Sequence, residues 1–223
     1  MLYLLQQLFI NKWGVLRVFK SITMRASIAF VIAFLFMMIF GKPFIAWLKK
    51  KKYGDSAREE GPQSHWSKSG TPTMGGLLII GAMLFATSIA GNFTNKFIIF
   101  LFIITILFTT IGFYDDFLKL TKHKKGLSGK KKIFGQLIIT SLTFYFIYKY
   151  GLINKEIDFS IVNPIIKNSF LYITPVLFFI FMMFVIIGSS NAVNLTAGLD
   201  GLVSGPIIVV SLTLLIITYL TGH

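Results

Sequence analysis

Phe97-Ile-Ile-Phe-Leu-Phe-Ile-Ile-Thr-Ile-Leu-Phe-Thr-Thr-Ile-Gly-Phe-Tyr114 is an uncharged run, and Asp115-Asp116-Phe117-Leu118-Lys119 follows it at once. An apolar stretch of about 18 residues or more reads as a membrane-crossing helix. Ionisable residues at the edge of such a span are expensive to keep there and usually have a task. The whole chain has only eight acidic residues among 223, so an Asp-Asp pair at this point is the first candidate for chemistry.

Five more apolar runs flank this one, at Ala26–Phe40, Thr73–Ala90, Ile133–Tyr148, Phe170–Ile187 and Leu202–Leu220. The first is short unless Arg25 snorkels out of it. Pro175 and Pro206 lie inside the last two, where each marks a kink or a first helical turn. Together they predict an all-α integral membrane protein, a polytopic bundle of about six transmembrane helices. Composition agrees: 55% hydrophobic residues, 13% charged residues and a mean hydropathy of +0.75 exclude an ordinary soluble domain. No repeat, low-complexity tract or linker divides the chain, so residues 1–223 read as one membrane domain. Ahead of the first span, Leu2, Leu5, Leu8, Phe9, Trp13 and Leu16 recur at roughly helical spacing beside Lys12, Arg17 and Lys20. This predicts an N-terminal interfacial amphipathic helix rather than a cleaved signal peptide, whose basic first region and small-residue cleavage site are missing.

A net charge of +14 raises nucleic acid as a partner. The basic residues, however, cluster in loops beside apolar runs, with no aromatic stacking platform among them, so membrane lipids are the expected partner and nucleic acid is not. The absence of cysteine rules out disulfides and thiolate metal sites. Seven Lys/Arg fall in Gly41–Pro72 and seven in Asp115–Lys132, against one between the second and third spans and three between the fourth and fifth. By the positive-inside rule the two rich loops are cytoplasmic, which puts both termini outside and the connection Gly188–Gly201 inside. Three unusual polar segments then share the cytoplasmic face.

Asp115 and Asp116 are placed at the C-terminal end of their helix, where the dipole disfavours carboxylates by about 0.3–1 kcal/mol each. Lys119 lies four residues from one and three from the other, on the same face. Either a structural Asp–Lys pair or a divalent ion with phosphate substrate fits this arrangement. Lys68-Ser-Gly-Thr-Pro-Thr-Met-Gly-Gly76 reads as a loop running into a helix, with Thr71 as cap and Pro72 in the first turn. Its glycines serve an anion at the helix N-terminus or close helix packing. The segment Asn191-Ala-Val-Asn-Leu-Thr-Ala-Gly-Leu-Asp-Gly201 carries amides and one acid that need partners, met by a polar ligand or by a helix cap and turn. Its Asn194-Leu-Thr196 sequon carries no weight on a cytoplasmic loop. His65, His123 and His223 show no metal-ligand spacing, and Lys49–Lys52 reads as a topogenic cluster.

In order and approximate spacing, Gly70-Thr-Pro-Thr-Met-Gly-Gly76, Gly112–Lys119, Ser128-Gly-Lys-Lys-Lys132 and Asn191–Gly201 resemble the polyprenyl-phosphate N-acetylhexosamine-1-phosphate transferases. Within that family the Gly70–Gly76 string is similar to the phospho-N-acetylmuramoyl-pentapeptide transferase branch. The resemblance covers essentially the whole chain. It implies transfer of phospho-N-acetylmuramoyl-pentapeptide from its UDP carrier to undecaprenyl phosphate in the bacterial cytoplasmic membrane, with UMP released and Mg²⁺ required. It further implies Asp115 as base or acceptor-phosphate positioner and Asp116 beside Mg²⁺. Lys68, Thr73, Lys119, Lys131, Asn191, Asn194 and Asp200 would bind the sugar nucleotide, with Asn194 also near the metal. A homodimer and a one-step or covalent course are left open.

Two departures stand out. Ala197 replaces the first Asp of the family pattern Asn-x-Thr-Asp-Gly-x-Asp-Gly, which removes a substrate contact. Family members are also longer, with about ten membrane helices, a further acidic motif and a histidine-rich loop, so the 223 residues by themselves are expected to be a shortened and nearly inactive form. The competing functions are a sister N-acetylglucosamine-1-phosphate transferase, an ion or proton transporter built on the Asp pair, and an inert membrane fragment. Transporters place such acids near the midplane rather than at an edge.

Overall fold

The computed structural model describes residues 1–9, 14–51, 74–121, 126–151, 159–162, 170–196 and 202–220. The described chain is largely helical: α1 (Leu2–Phe9), a 3-10 turn (Gly14–Lys20), α2 (Ile22–Lys50), α3 (Gly75–Ala90), α4 (Lys96–Thr121), α5 (Gly129–Phe146), α6 (Pro175–Thr196) and α7 (Ser204–Leu220). A short antiparallel pair, β1 (Ser160–Val162) and β2 (Phe170–Tyr172), is in register Ser160 to Tyr172. Each apolar run of the sequence overlaps one of the helices α2 to α7. Three of these, α2, α4 and α6, are long and apolar enough to cross a membrane, whereas α3 and α7 are shorter apolar helices. The fourth run forms α5, which opens on three lysines and carries Gln136, Thr140, Ser141 and Thr143.

The helices differ in extent from the apolar runs because hydropathy marks where side chains are greasy, not where backbone hydrogen bonding stops. The first expected span ends at Phe40, yet α2 continues through Pro43 to Lys50, and Lys49 and Lys50 then complement the negative end of its dipole. Arg25 does not snorkel. It is buried, its guanidinium donates to the carbonyls of Phe19 (2.7 Å) and Lys20 (2.9 Å), and it lies 5.1 Å from the centre of the Tyr3 ring. Among the described residues of the N-terminal stretch, Leu2–Phe9 is α-helix and Gly14–Lys20 is 3-10 helix, so the second part of the expected amphipathic helix is not α-helical.

Pro175 and Pro206 both fall in first turns, where the missing amide costs nothing; Phe170–Tyr172, expected as the start of the fifth span, is strand instead. At its other end α6 runs on to Thr196, so residues 188–196 are helix and not the expected loop. Its polar side chains bond back to the preceding turn: Ser189 to Ile186, Asn191 to Ile187 and Thr196 to Ala192, each at the carbonyl.

Packing divides the chain into two compact units, Met1–Lys132 and Ile133–His223. In the first, α3 lies mainly against α2, and its buried residues are Ala82, Ala86 and Ala90, one turn apart on a single face. Small residues at this spacing let backbones approach closely, which supplies dispersion where lipid removes the hydrophobic drive. In the second unit the buried Gln136 of α5 donates to Ser190 Oγ (3.1 Å) and accepts from Asn191 Nδ2 (2.7 Å) on α6. Phe144 against Phe179 (5.0 Å) and Phe159 against Phe178 (5.2 Å) add aromatic contacts to α6. Helix α7 has no buried residue.

Candidate active site

Helix α4 carries the Asp pair, and it does not end there. It continues to Thr121, so Asp115 and Asp116 stand more than a turn inside the helix rather than at its C-terminal end. The dipole penalty, which is confined to the last turn, is correspondingly small. Lys119 sits in that last turn and bridges both acids: its Nζ lies 2.8 Å from Asp115 Oδ2 and 2.9 Å from Asp116 Oδ1. The i+3 and i+4 spacing thus closes a three-residue charge cluster on one face of α4.

The two carboxylates are not equivalent. Asp115 is buried, whereas Asp116 and Lys119 are each about one-third exposed at the side chain, 34% in both cases. Burial of Asp115 comes from the chain that follows α4. The Gly126–Ser128 segment returns onto the helix, and the Leu127 amide donates to Asp115 Oδ1 at 2.8 Å. Lys132, in the first turn of α5, brings its ammonium to 4.0 Å from Asp115 Oδ2. Both oxygens of Asp115 are therefore engaged. For Asp116, only Oδ1 has a partner among the described residues.

Gly126, Leu127 and Lys132 were not among the sequence candidates for contacts to the acids. Their signal was weak: a glycine between a lysine run and a helix start reads simply as a turn. Lys131, which was a candidate, is exposed in the first turn of α5 and makes no contact to either acid among the described residues.

Of the second motif, the described residues include only the end. Helix α3 begins at Gly75, with Met74 as its N-cap in the left-handed region (φ 69°) and no side-chain cap. The expected cap Thr71 and first-turn Pro72 precede this start and, with Lys68 and Thr73, lie outside the described residues. Nothing among the described residues lies within 4 Å of where a Cβ would stand on Gly75 or Gly76.

In the third motif Asn191 spends its amide on Gln136 Oε1 and the Ile187 carbonyl, within the second unit. Asn194 is exposed one turn further on, near the end of α6. Asp200, Ala197 and the three histidines lie outside the described residues. Among the described residues no group of three His, Cys, Asp or Glu side chains forms a closed metal cage.

The glycosyl transferase family 4 model matches residues 97–223, more than half of the chain and inclusive of the Asp pair. A phospho-N-acetylmuramoyl-pentapeptide-transferase signature matches residues 68–80, the stretch that runs into α3. The chain belongs to the phospho-N-acetylmuramoyl-pentapeptide-transferase family, within glycosyl transferase family 4. Curated relatives of that name include proteins from Fusobacterium nucleatum, 46% identical across 92% of this chain and 56% of the relative, and Leptospira biflexa, 40% identical across 96% and 60%. A third, from Thermodesulfovibrio yellowstonii, is 40% identical across 93% of this chain and 57% of its own. The chain thus spans somewhat more than half the length of these relatives.

Proposed function

We propose that this protein transfers phospho-N-acetylmuramoyl-pentapeptide from UDP-N-acetylmuramoyl-pentapeptide to undecaprenyl phosphate. An oxygen of the acceptor phosphate forms the new bond to the sugar-bearing phosphorus, the diphosphate bond breaks, and UMP leaves with the electron pair. The observation that carries this reading is the asymmetric acid pair on the long apolar helix α4, inside the part of the chain that the family model covers. Phosphoryl transfer asks mainly for positioning and charge neutralisation. Asp115, with both oxygens engaged, suits holding Lys119 and Lys132 in place better than taking a proton. Lys119 and the exposed Lys131 are then cations available to diphosphate oxygens.

Asp116 fits a magnesium ion. Its carboxylate is partly exposed with one oxygen uncommitted among the described residues, and Mg²⁺ is usually held by one or two carboxylates plus substrate phosphate. Mg²⁺ bound there would neutralise charge on the diphosphate. Asn194 is a further metal-proximal candidate, and Lys68, Thr73, Asn191 and Asp200 are candidates for the sugar nucleotide. The reading treats residues 1–223 as one membrane domain with six crossings, in the bacterial cytoplasmic membrane, with the acids on the cytoplasmic face and lipid, alone or with a second copy, around it.

A second reading, binding without turnover, is favoured by Ala197, which stands where the family pattern has an acid. One assay separates the two. The purified chain in lipid nanodiscs receives both substrates and Mg²⁺, with UMP release and retention of the uridine substrate followed together. Release that falls at least about 100-fold in Asp116→Asn, the loss expected for one key electrostatic group, supports transfer. Retention without release supports the second reading, and the absence of both release and retention rejects both readings.

A further inference from the structure

We infer that the Gly126–Leu127 backbone is a positioning element for Asp115, and that position 126 is glycine because the carboxylate occupies the space a side chain would need. The catalytic consequence rests on the transferase reading above; the geometry does not. A Cβ built on Gly126 would stand 2.5 Å from Asp115 Oδ1 and 3.2 Å from its Cγ, with Lys119 Cε at 3.0 Å. Carbon and oxygen do not approach so closely without repulsion, so something must move. The lysine stem can swing away. Asp115 can do so only by losing what holds it, because it is buried and bound by Lys119 at 2.8 Å and by the Leu127 amide at 2.8 Å.

The usual reason for glycine is absent at this position, since its φ lies outside the left-handed region. What glycine supplies is close approach. It allows the backbone to lie flat on the carboxylate, so that the next amide, that of Leu127, reaches Oδ1. This bond is charge-assisted, and therefore stronger and more directional than one between neutral groups. Asp115 is thereby clamped from two sides, by an ammonium on Oδ2 and an amide on Oδ1. One rotamer is selected for the acid, and the ammoniums of Lys119 and Lys132 are oriented with it. Asp116, which has no such clamp, keeps the freedom a metal ligand needs.

The test uses the whole chain in lipid nanodiscs and reads hydrogen exchange of the peptide containing Leu127. Asp115→Ala removes the acceptor and is expected to speed exchange of that amide at least about tenfold, as for loss of a hydrogen bond to a charged group. Gly126→Ala is expected to do the same. The double variant should exchange no faster than Asp115→Ala, because the two changes break one contact. Should Gly126→Ala fail to fold, folding of the double variant, which lacks the clashing carboxylate, supports the inference equally. Unchanged exchange in Asp115→Ala, or additive effects in the double variant, would overturn it.

The catalytic part is read from UMP release. Gly126→Ala should lower kcat at least about tenfold, with KM for the uridine substrate within about twofold, because a misdirected acid perturbs the reacting groups more than binding. A kcat that stays at the wild-type value overturns the positioning role. If the wild-type chain releases no UMP, the transferase reading fails, while the exchange data still decide the clamp.

Discussion

Removing Lys119 should expose how much of the acid pair's stability depends on one ammonium. At an effective dielectric constant of about 20, the Coulomb attraction over 2.8 Å and 2.9 Å is about 6 kcal/mol for each carboxylate. Desolvation offsets most of that. Breaking a fully buried pair costs about 3–5 kcal/mol, whereas exposed pairs contribute about 0.2–1 kcal/mol. Lys119 is one-third exposed, and Asp115 keeps the Leu127 amide and Lys132. The expected loss in Lys119→Met is therefore about 2 kcal/mol, between those limits. Thermal unfolding in nanodiscs should show a midpoint lower by several degrees. Adding Asp116→Asn should recover part of the loss, since it relieves two adjacent like charges. Millimolar Mg²⁺ alone should raise the midpoint of Lys119→Met more than that of wild type, because the freed acids recruit a cation. A Lys119→Met protein as stable as wild type, and equally indifferent to Mg²⁺, would refute the reasoning.

Other expectations follow from the packing. Gln136→Leu should cost about 1–2 kcal/mol by stranding Asn191 and Ser190 between α5 and α6, and combining it with Asn191→Leu should cost less than the sum of the two, as measured by unfolding midpoints. Ala86→Leu should destabilise by about 1–3 kcal/mol by forcing α3 away from its neighbour, while Ile79→Leu on the exposed face stays within about 0.5 kcal/mol. A cysteine replacing Lys130 should resist an impermeant maleimide in intact cells and react after permeabilisation; ready labelling from outside would reverse the proposed orientation.

Among the described residues three helices are long and apolar enough to span a membrane, against six expected crossings, but the membrane class itself was legible in the sequence, because long apolar runs need nothing beyond their own composition to be excluded from water. So was the link from Lys119 to both acids, which depends only on helical spacing. Helix ends were not. The runs stop at Phe40, Tyr114 and Ile187, but the helices stop at Lys50, Thr121 and Thr196, since hydropathy marks which side chains are apolar and not where backbone hydrogen bonding ends. Met74, in a left-handed conformation at the start of α3, was equally invisible, because residues other than glycine rarely adopt it.

What only the tertiary structure decided is which acid is which. Asp115 and Asp116 are chemically identical neighbours, and no local pattern ranks them. The difference arises when Gly126, Leu127 and Lys132 fold back onto one of the two, burying Asp115 and leaving Asp116 partly open. In the same way, the amide of Asn191 is held by Gln136, 55 residues away, a partner that no local pattern shows. Both outcomes depend on contacts between segments far apart in the chain. A one-dimensional pattern registers the residue types involved, but the distance across which they meet is set by how the helices pack.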